Sequence, residues 1–146
     1  MIIKSMSRKV PSFEQLINYM DAGASSRTSN IYHNLYSRQS NDIHDAFINN
    51  SAFLKRRKNG VFMYHEVISI TRSDQIDEKA QIVILRKVIH QYILSRAKNN
   101  LVYGVLHDDK PDNLHYHLLI SSNHLESSKR HRVSKADFDT IKRNVE

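Results

Sequence analysis

The sequence predicts an α+β domain of two layers, a mostly antiparallel central sheet with helices packed on it. Three observations carry that expectation. Apolar residues recur at helical spacing in four stretches, and β-branched and aromatic residues concentrate in four others. The two kinds follow one another as β α α β α β β α, which lacks the regular alternation of a parallel sheet.

The elements follow in order. "MIIKSM" reads as a short first strand. Ser12 can cap a helix beginning "SFEQLINYM", in which Phe13, Leu16, Ile17 and Met20 recur on one side. "DAGASSRTSN" then reads as a polar loop of small residues, mobile or ligand-dependent. "NDIHDAFINNSAFLKRRKNG" looks like a second helix, with Ile43, Phe47 and Leu54 on one side and Gly60 after its basic end. "VFMYHEVISI" is a strand, with Phe62, Tyr64, Glu66, Ile68 and Ile70 on one face. Between Asp74 and Asn99 lies the strongest helix signal, a broad stripe of Ile82, Leu85, Ile89 and Ile93 suited to packing across a sheet. "LVYGVLH" and "HYHLLIS" are two strands joined by the turn residues "DDKPDN". Ser134 opens a last helix, with Asp137 completing an approximate capping pair. The chain ends inside that helix without a stop signal, which suggests a single domain, 1–146, truncated at its C-terminus.

Composition bounds the function. There is no cysteine, which excludes thiolate metal sites, thiol catalysis and a disulfide scaffold. No apolar run is long enough to span a bilayer and the start is too weakly apolar for a signal peptide, so a soluble cytoplasmic protein is the expectation. The formal charge of +7 suggests a polyanionic partner, most often nucleic acid. Its cations gather in Lys55-Arg56-Arg57-Lys58 and Lys129-Arg130-His131-Arg132; the second cluster, close behind the last two strands, is favoured for DNA contact.

Three of the nine histidines fall within "LHDDKPDNLHYHLLI". Strand alternation gives His115 and His117 one face, continued by Leu119, while Tyr116, Leu118 and Ile120 point the other way. His107 ends the preceding strand, and a hairpin of this length brings it beside the pair. Three nitrogen ligands leave coordination positions open, which suits chemistry better than scaffolding.

"HDDKPDNLHYHLLISSN" resembles the third motif of the HUH relaxases, the mobilisation nucleases of conjugative plasmids and integrative elements, including the T-DNA border nickases. Tyr116 stands where that family usually has an aliphatic residue. "LINYMDAG" resembles the first motif, in which a tyrosine at the end of an early helix is the nucleophile, and "YHEVISI" resembles the family's next strand. The resemblance implies a relaxase-like palm and strand-specific nicking of single-stranded DNA at a transfer origin, leaving a 3′-hydroxyl and a 5′-phosphotyrosine link. It implies Tyr19 as nucleophile, with Tyr32 and Tyr36 as substitutes, and a divalent metal, Mg²⁺ or Mn²⁺, on His107, His115 and His117. Glu66 is expected to accept a hydrogen bond from a ligand histidine, with Asp109 and His65 as further candidates for that role. Accessory relaxosome proteins and a conjugative secretion system are the implied partners.

Two other readings fit the same residues. An RRM-like, non-catalytic nucleic-acid-binding module would use Phe62 and Tyr64 as base-stacking aromatics. An HUH replication initiator or transposase would normally carry its tyrosine C-terminal to the histidine pair, and no tyrosine follows Tyr116.

Overall fold

A computed structural model describes residues 1–146. The elements run β1 (Ile2–Arg8), α1 (Phe13–Ala22), β2 (Ile31–His33), α2 (Ser40–Ser51), β3 (Met63–Thr71), α3 (Glu78–Arg96), β4 (Val102–His107), β5 (Asn113–Ser121) and α4 (Lys135–Val145). The five strands form one sheet in the order β1-β3-β5-β4-β2, antiparallel at every pairing. The α+β class and the antiparallel sheet are those the sequence predicts.

Strand alternation divides the core. Leu114, Tyr116, Leu118 and Ile120 of β5 face α3, meeting Leu85, Ile89, Tyr92 and Ile93, while Phe138 and Ile141 of α4 pack onto the same cluster. On the other face Leu119 joins Phe13, Leu16, Ile17 and Met20 of α1 and Ile43 and Phe47 of α2. Burying such a side chain contributes about 1.5–3 kcal/mol, so α1 is held mainly by these four contacts. Asp77 and Ser134 cap α3 and α4 by accepting from the backbone N–H groups of Ala80 and Asp137. No helix is long and apolar enough to cross a membrane.

The structure departs from expectation at several places: Ser12, for one, precedes α1 without making a side-chain capping bond. β2, a three-residue edge strand pairing with β4, follows the predicted polar loop directly, in a stretch to which the sequence assigns no strand. That loop is fastened: Ser26 caps a single 3₁₀ turn at Arg27–Ser29, and the Ser25 N–H donates to the Leu106 carbonyl at 3.0 Å. Finally, α2 stops at Ser51, so Lys55–Lys58 stand on a loop. There the Asn50 carbonyl, which another helical turn would use, accepts from Asn123 Nδ2, and the Asn50 side-chain Oδ1 accepts from the Glu126 N–H.

Candidate active site

The β4–β5 hairpin builds the centre. Its register sets His107 directly opposite His115, and directly opposed residues share a face. His117 lies two residues further along that face, between Val105 of β4 and Val67 of β3. One ring nitrogen from each of the three histidines lies within 4.8 Å of the others. The His107 and His117 rings are 4.2 Å apart between centroids. His65 of β3 joins them, its Nε2 2.9 Å from His117 Nδ1.

Neighbouring groups decide which nitrogens are free. His107 Nε2 donates to the Met20 carbonyl at 2.8 Å; a carbonyl can only accept, so in the neutral ring Nδ1 carries the lone pair. That carbonyl belongs to the last turn of α1, where helical partners run out. His115 Nδ1 and His117 Nε2 are buried and have no hydrogen-bond partner. Buried polar atoms are rarely left so, and two orphaned imidazole nitrogens in one cluster fit a shared divalent cation. If His117 donates its Nδ1 proton to His65 Nε2, its Nε2 lone pair faces outward for that purpose.

Burial favours the neutral, ligating form of His117, His65 and His115. It is the largest influence on His117, whose pKa is lowered to about 3, with the charges of His107, His65 and His115 adding to the effect and Asp109 opposing it. His65 is lowered to about 4 by burial, then by Arg8 and His107. His115 is also lowered, by burial and His107, with Asp109 again opposing. Asp109 Oδ1 lies 3.8 Å from His115 Nε2, too far for the hydrogen bond expected of an outer carboxylate.

Tyr19, exposed at the end of α1, brings its ring to 5.5 Å from that of His117 and 6.1 Å from that of His107. Tyr32 stacks obliquely on Tyr103 and Tyr36 is fully exposed; neither has a ring contact with the histidines. Glu66 is a correction. Alternation turns it to the α3 face, where its carboxylate accepts from Ser5 Oγ, the Tyr92 hydroxyl and Arg96, and it contacts no histidine. His65, one residue earlier, occupies the position beside His117. Phe62 packs with the α1 and α2 core and Tyr64 lies under the Arg96 guanidinium, so the two form no open stacking platform.

Two supports of the site were absent from the sequence reading. One is the Met20 carbonyl. The other is Gly23, where a Cβ would lie 2.4 Å from His107 Cε1. The glycine after a helix end is readable as a cap, but its contact with a ring on β4 is not. Beyond His115 the sheet face stays open as a hollow of about 300 Å³ lined by Lys4, Ser69, Lys110 and Asn113.

One face of an antiparallel sheet thus presents a histidine cluster beside an exposed tyrosine, in a strongly basic chain, an arrangement that fits the relaxase class of nuclease domain. The chain belongs to the family described as relaxase, MobA/VirD2-like, nuclease domain, a sequence model of which matches residues 19–146. No curated protein matches the chain.

Proposed function

We propose that this domain nicks one strand of DNA at the transfer origin of a plasmid or integrative element, with Tyr19 as nucleophile and a divalent cation on His107, His115 and His117. The Tyr19 phenol oxygen forms a bond to the scissile phosphorus as the bond from phosphorus to the 3′ oxygen breaks. The phenol loses its proton and the 3′ oxygen gains one, leaving a 3′-hydroxyl and a 5′-phosphotyrosine. A bound cation would withdraw charge from the non-bridging phosphate oxygens. The chain's own part is to hold the His107 and His117 rings in one tautomer, through the Met20 carbonyl and His65, and to favour the neutral form of His117 by burial. Lys4 and Lys110, beside His115, are suited to neighbouring phosphates of the strand. Three imidazoles are softer donors than Mg²⁺ prefers, so of Mg²⁺ and Mn²⁺ the site favours Mn²⁺. Accessory relaxosome proteins and a conjugative secretion system complete the reading as partners.

The observation that supports this most is the Tyr19 ring, 5.5 Å from that of His117, on the same side of the sheet as all three histidines. The test is incubation with single-stranded oligonucleotides from the protein's own transfer origin and Mn²⁺, read on denaturing gels. The expected products are a strand ending in a 3′-hydroxyl and a protein–DNA adduct, both lost in Tyr19→Phe. Normal nicking by Tyr19→Phe would remove Tyr19 from the role, and full activity in Tyr32→Phe and Tyr36→Phe as well would remove tyrosine chemistry.

A further inference from the structure

On the face of the sheet opposite the histidines, a second hollow of about 670 Å³ opens between β1, β3 and α4. Its wall includes Arg57, Arg96, Ser122, Arg130, Arg132 and Lys135, and no carboxylate. Arg96 is 3 % exposed and Ser122 2 % exposed. The Arg96 guanidinium spends its Nε and one terminal nitrogen on Glu66 Oε1, at 3.0 and 2.9 Å, and its other terminal nitrogen is buried without a partner. Ser122 Oγ is likewise buried and unpartnered. Two buried donors without partners beside one cationic hollow fit an anion site, because each unmet donor is costly and charge-assisted bonds to an anion would satisfy both.

The other cations carry the reading further. None of Arg57, Arg130, Arg132 and Lys135 has a carboxylate within 4.0 Å. Arg130 is fixed, donating to the Val61 carbonyl at 2.6 Å and the Lys55 carbonyl at 3.2 Å. Arg57 and Arg130 both pack against Gly60, where a Cβ would meet Arg130 at 2.8 Å and Arg57 at 3.2 Å. The same two arginines line a neighbouring hollow of about 780 Å³ on the α2 side, with Lys55, Arg56 and Lys58. The two hollows therefore meet along a shared cationic wall of Arg57 and Arg130. A single small anion would engage only part of it, whereas a polyanionic strand can follow it throughout.

We propose that Arg96 and Ser122, with Arg57, Arg130, Arg132 and Lys135, form a second phosphate-binding site that holds the backbone of a DNA strand on the reverse face of the sheet, away from the cut. This rests on reading the domain as a DNA nickase. The strand would leave the histidine face, pass the Lys55–Lys58 loop and seat one phosphate on Arg96 and Ser122. Arg132 and Lys135, both exposed, would neutralise the phosphates beside it.

The test compares the wild type with Arg132→Ala/Lys135→Ala, its fold checked by thermal melting. Binding of a labelled single-stranded oligonucleotide is followed by anisotropy across NaCl concentrations, without added divalent cation so that no strand is cut. Loss of two phosphate contacts lowers the slope of log affinity against log salt by about 1.4 in the double variant. In parallel, inorganic phosphate is titrated while the Arg96 Nε–H resonance is followed. Phosphate should shift that resonance, and oligonucleotide should abolish the shift by competition. An unchanged salt slope in the variant, while the wild type binds and nicks DNA, overturns this site and leaves the nickase reading standing. A phosphate shift at Arg96 that oligonucleotide does not displace makes the hollow a small-anion site and overturns its assignment to DNA. A wild type that neither binds nor nicks DNA overturns the nickase reading, and with it the proposed strand path.

Discussion

Gly23 has no side chain, and the ring of His107 stands where one would begin. A Cβ there would lie 2.4 Å from Cε1 and 2.8 Å from both ring nitrogens, inside any tolerable contact. The glycine follows α1 directly, and the Met20 carbonyl that receives the His107 proton is in that helix's last turn. One residue therefore lets the helix bearing Tyr19 approach the strand bearing His107. Gly23→Ala would push the ring away and break its bond to Met20. Disturbing such an outer support typically costs about 10–100-fold in metal affinity. Calorimetric titration of Mn²⁺ is expected to show a loss of that size while the thermal transition stays cooperative. Wild-type affinity in the folded variant would mean that the ring has room to give.

Among the elements, β3 carries two kinds of chemistry on its two faces. His65 faces the histidine cluster, whereas the next residue, Glu66, is fully buried against Ser5, Tyr92 and Arg96 on the α3 side. The Glu66–Arg96 pair ties the middle of β3 to the last turn of α3. Removing one member of a buried pair leaves the other charged and unmet, at a cost of about 3–5 kcal/mol. Glu66→Ala is accordingly expected to lower the urea midpoint by the equivalent of that loss, and a shift below about 1 kcal/mol would show that Arg96 finds water instead. The same strand shows how far a sequence can be read. Alternation alone groups Glu66 with Tyr64 and Ile68 and leaves His65 on the opposite face, and the His107–His115 register follows from hairpin length. The link from His65 to His117 does not follow, because it joins residues 52 apart through the β3–β5 pairing. β2 is too short to show a period, and the end of α2 coincides with long-range bonds from Asn123 and Glu126 to Asn50, which no local pattern reveals.

For the molecule as a whole, the histidine face resists protonation of His65 and His117, which the unfolded chain would protonate more readily. An unburied histidine titrates near about 6.5. In the metal-free fold His117 is lowered to about 3 and His65 to about 4. The groups around them are Arg8 of β1, His107 of β4, and His115 and Asp109 of the β4–β5 hairpin; only Asp109 favours the charged form of His117. The unfolded state binds protons first as the pH falls, so stability is fully present above about 6.5 and is lost progressively toward the folded values. Urea midpoints measured in chelator from pH 7.5 to 4.5 should therefore fall with acidification. His65→Gln/His117→Gln should flatten that dependence, since neither glutamine takes up a proton. Saturating Mn²⁺ at pH 7.5 should raise the wild-type midpoint and leave the double variant's nearly unchanged, because an ion bound only by the folded site stabilises it by mass action. A variant as acid-sensitive as the wild type would move the source of the pH dependence away from the histidine face. A midpoint that Mn²⁺ does not raise in the wild type would remove the cation from the site, whatever the histidines do with protons.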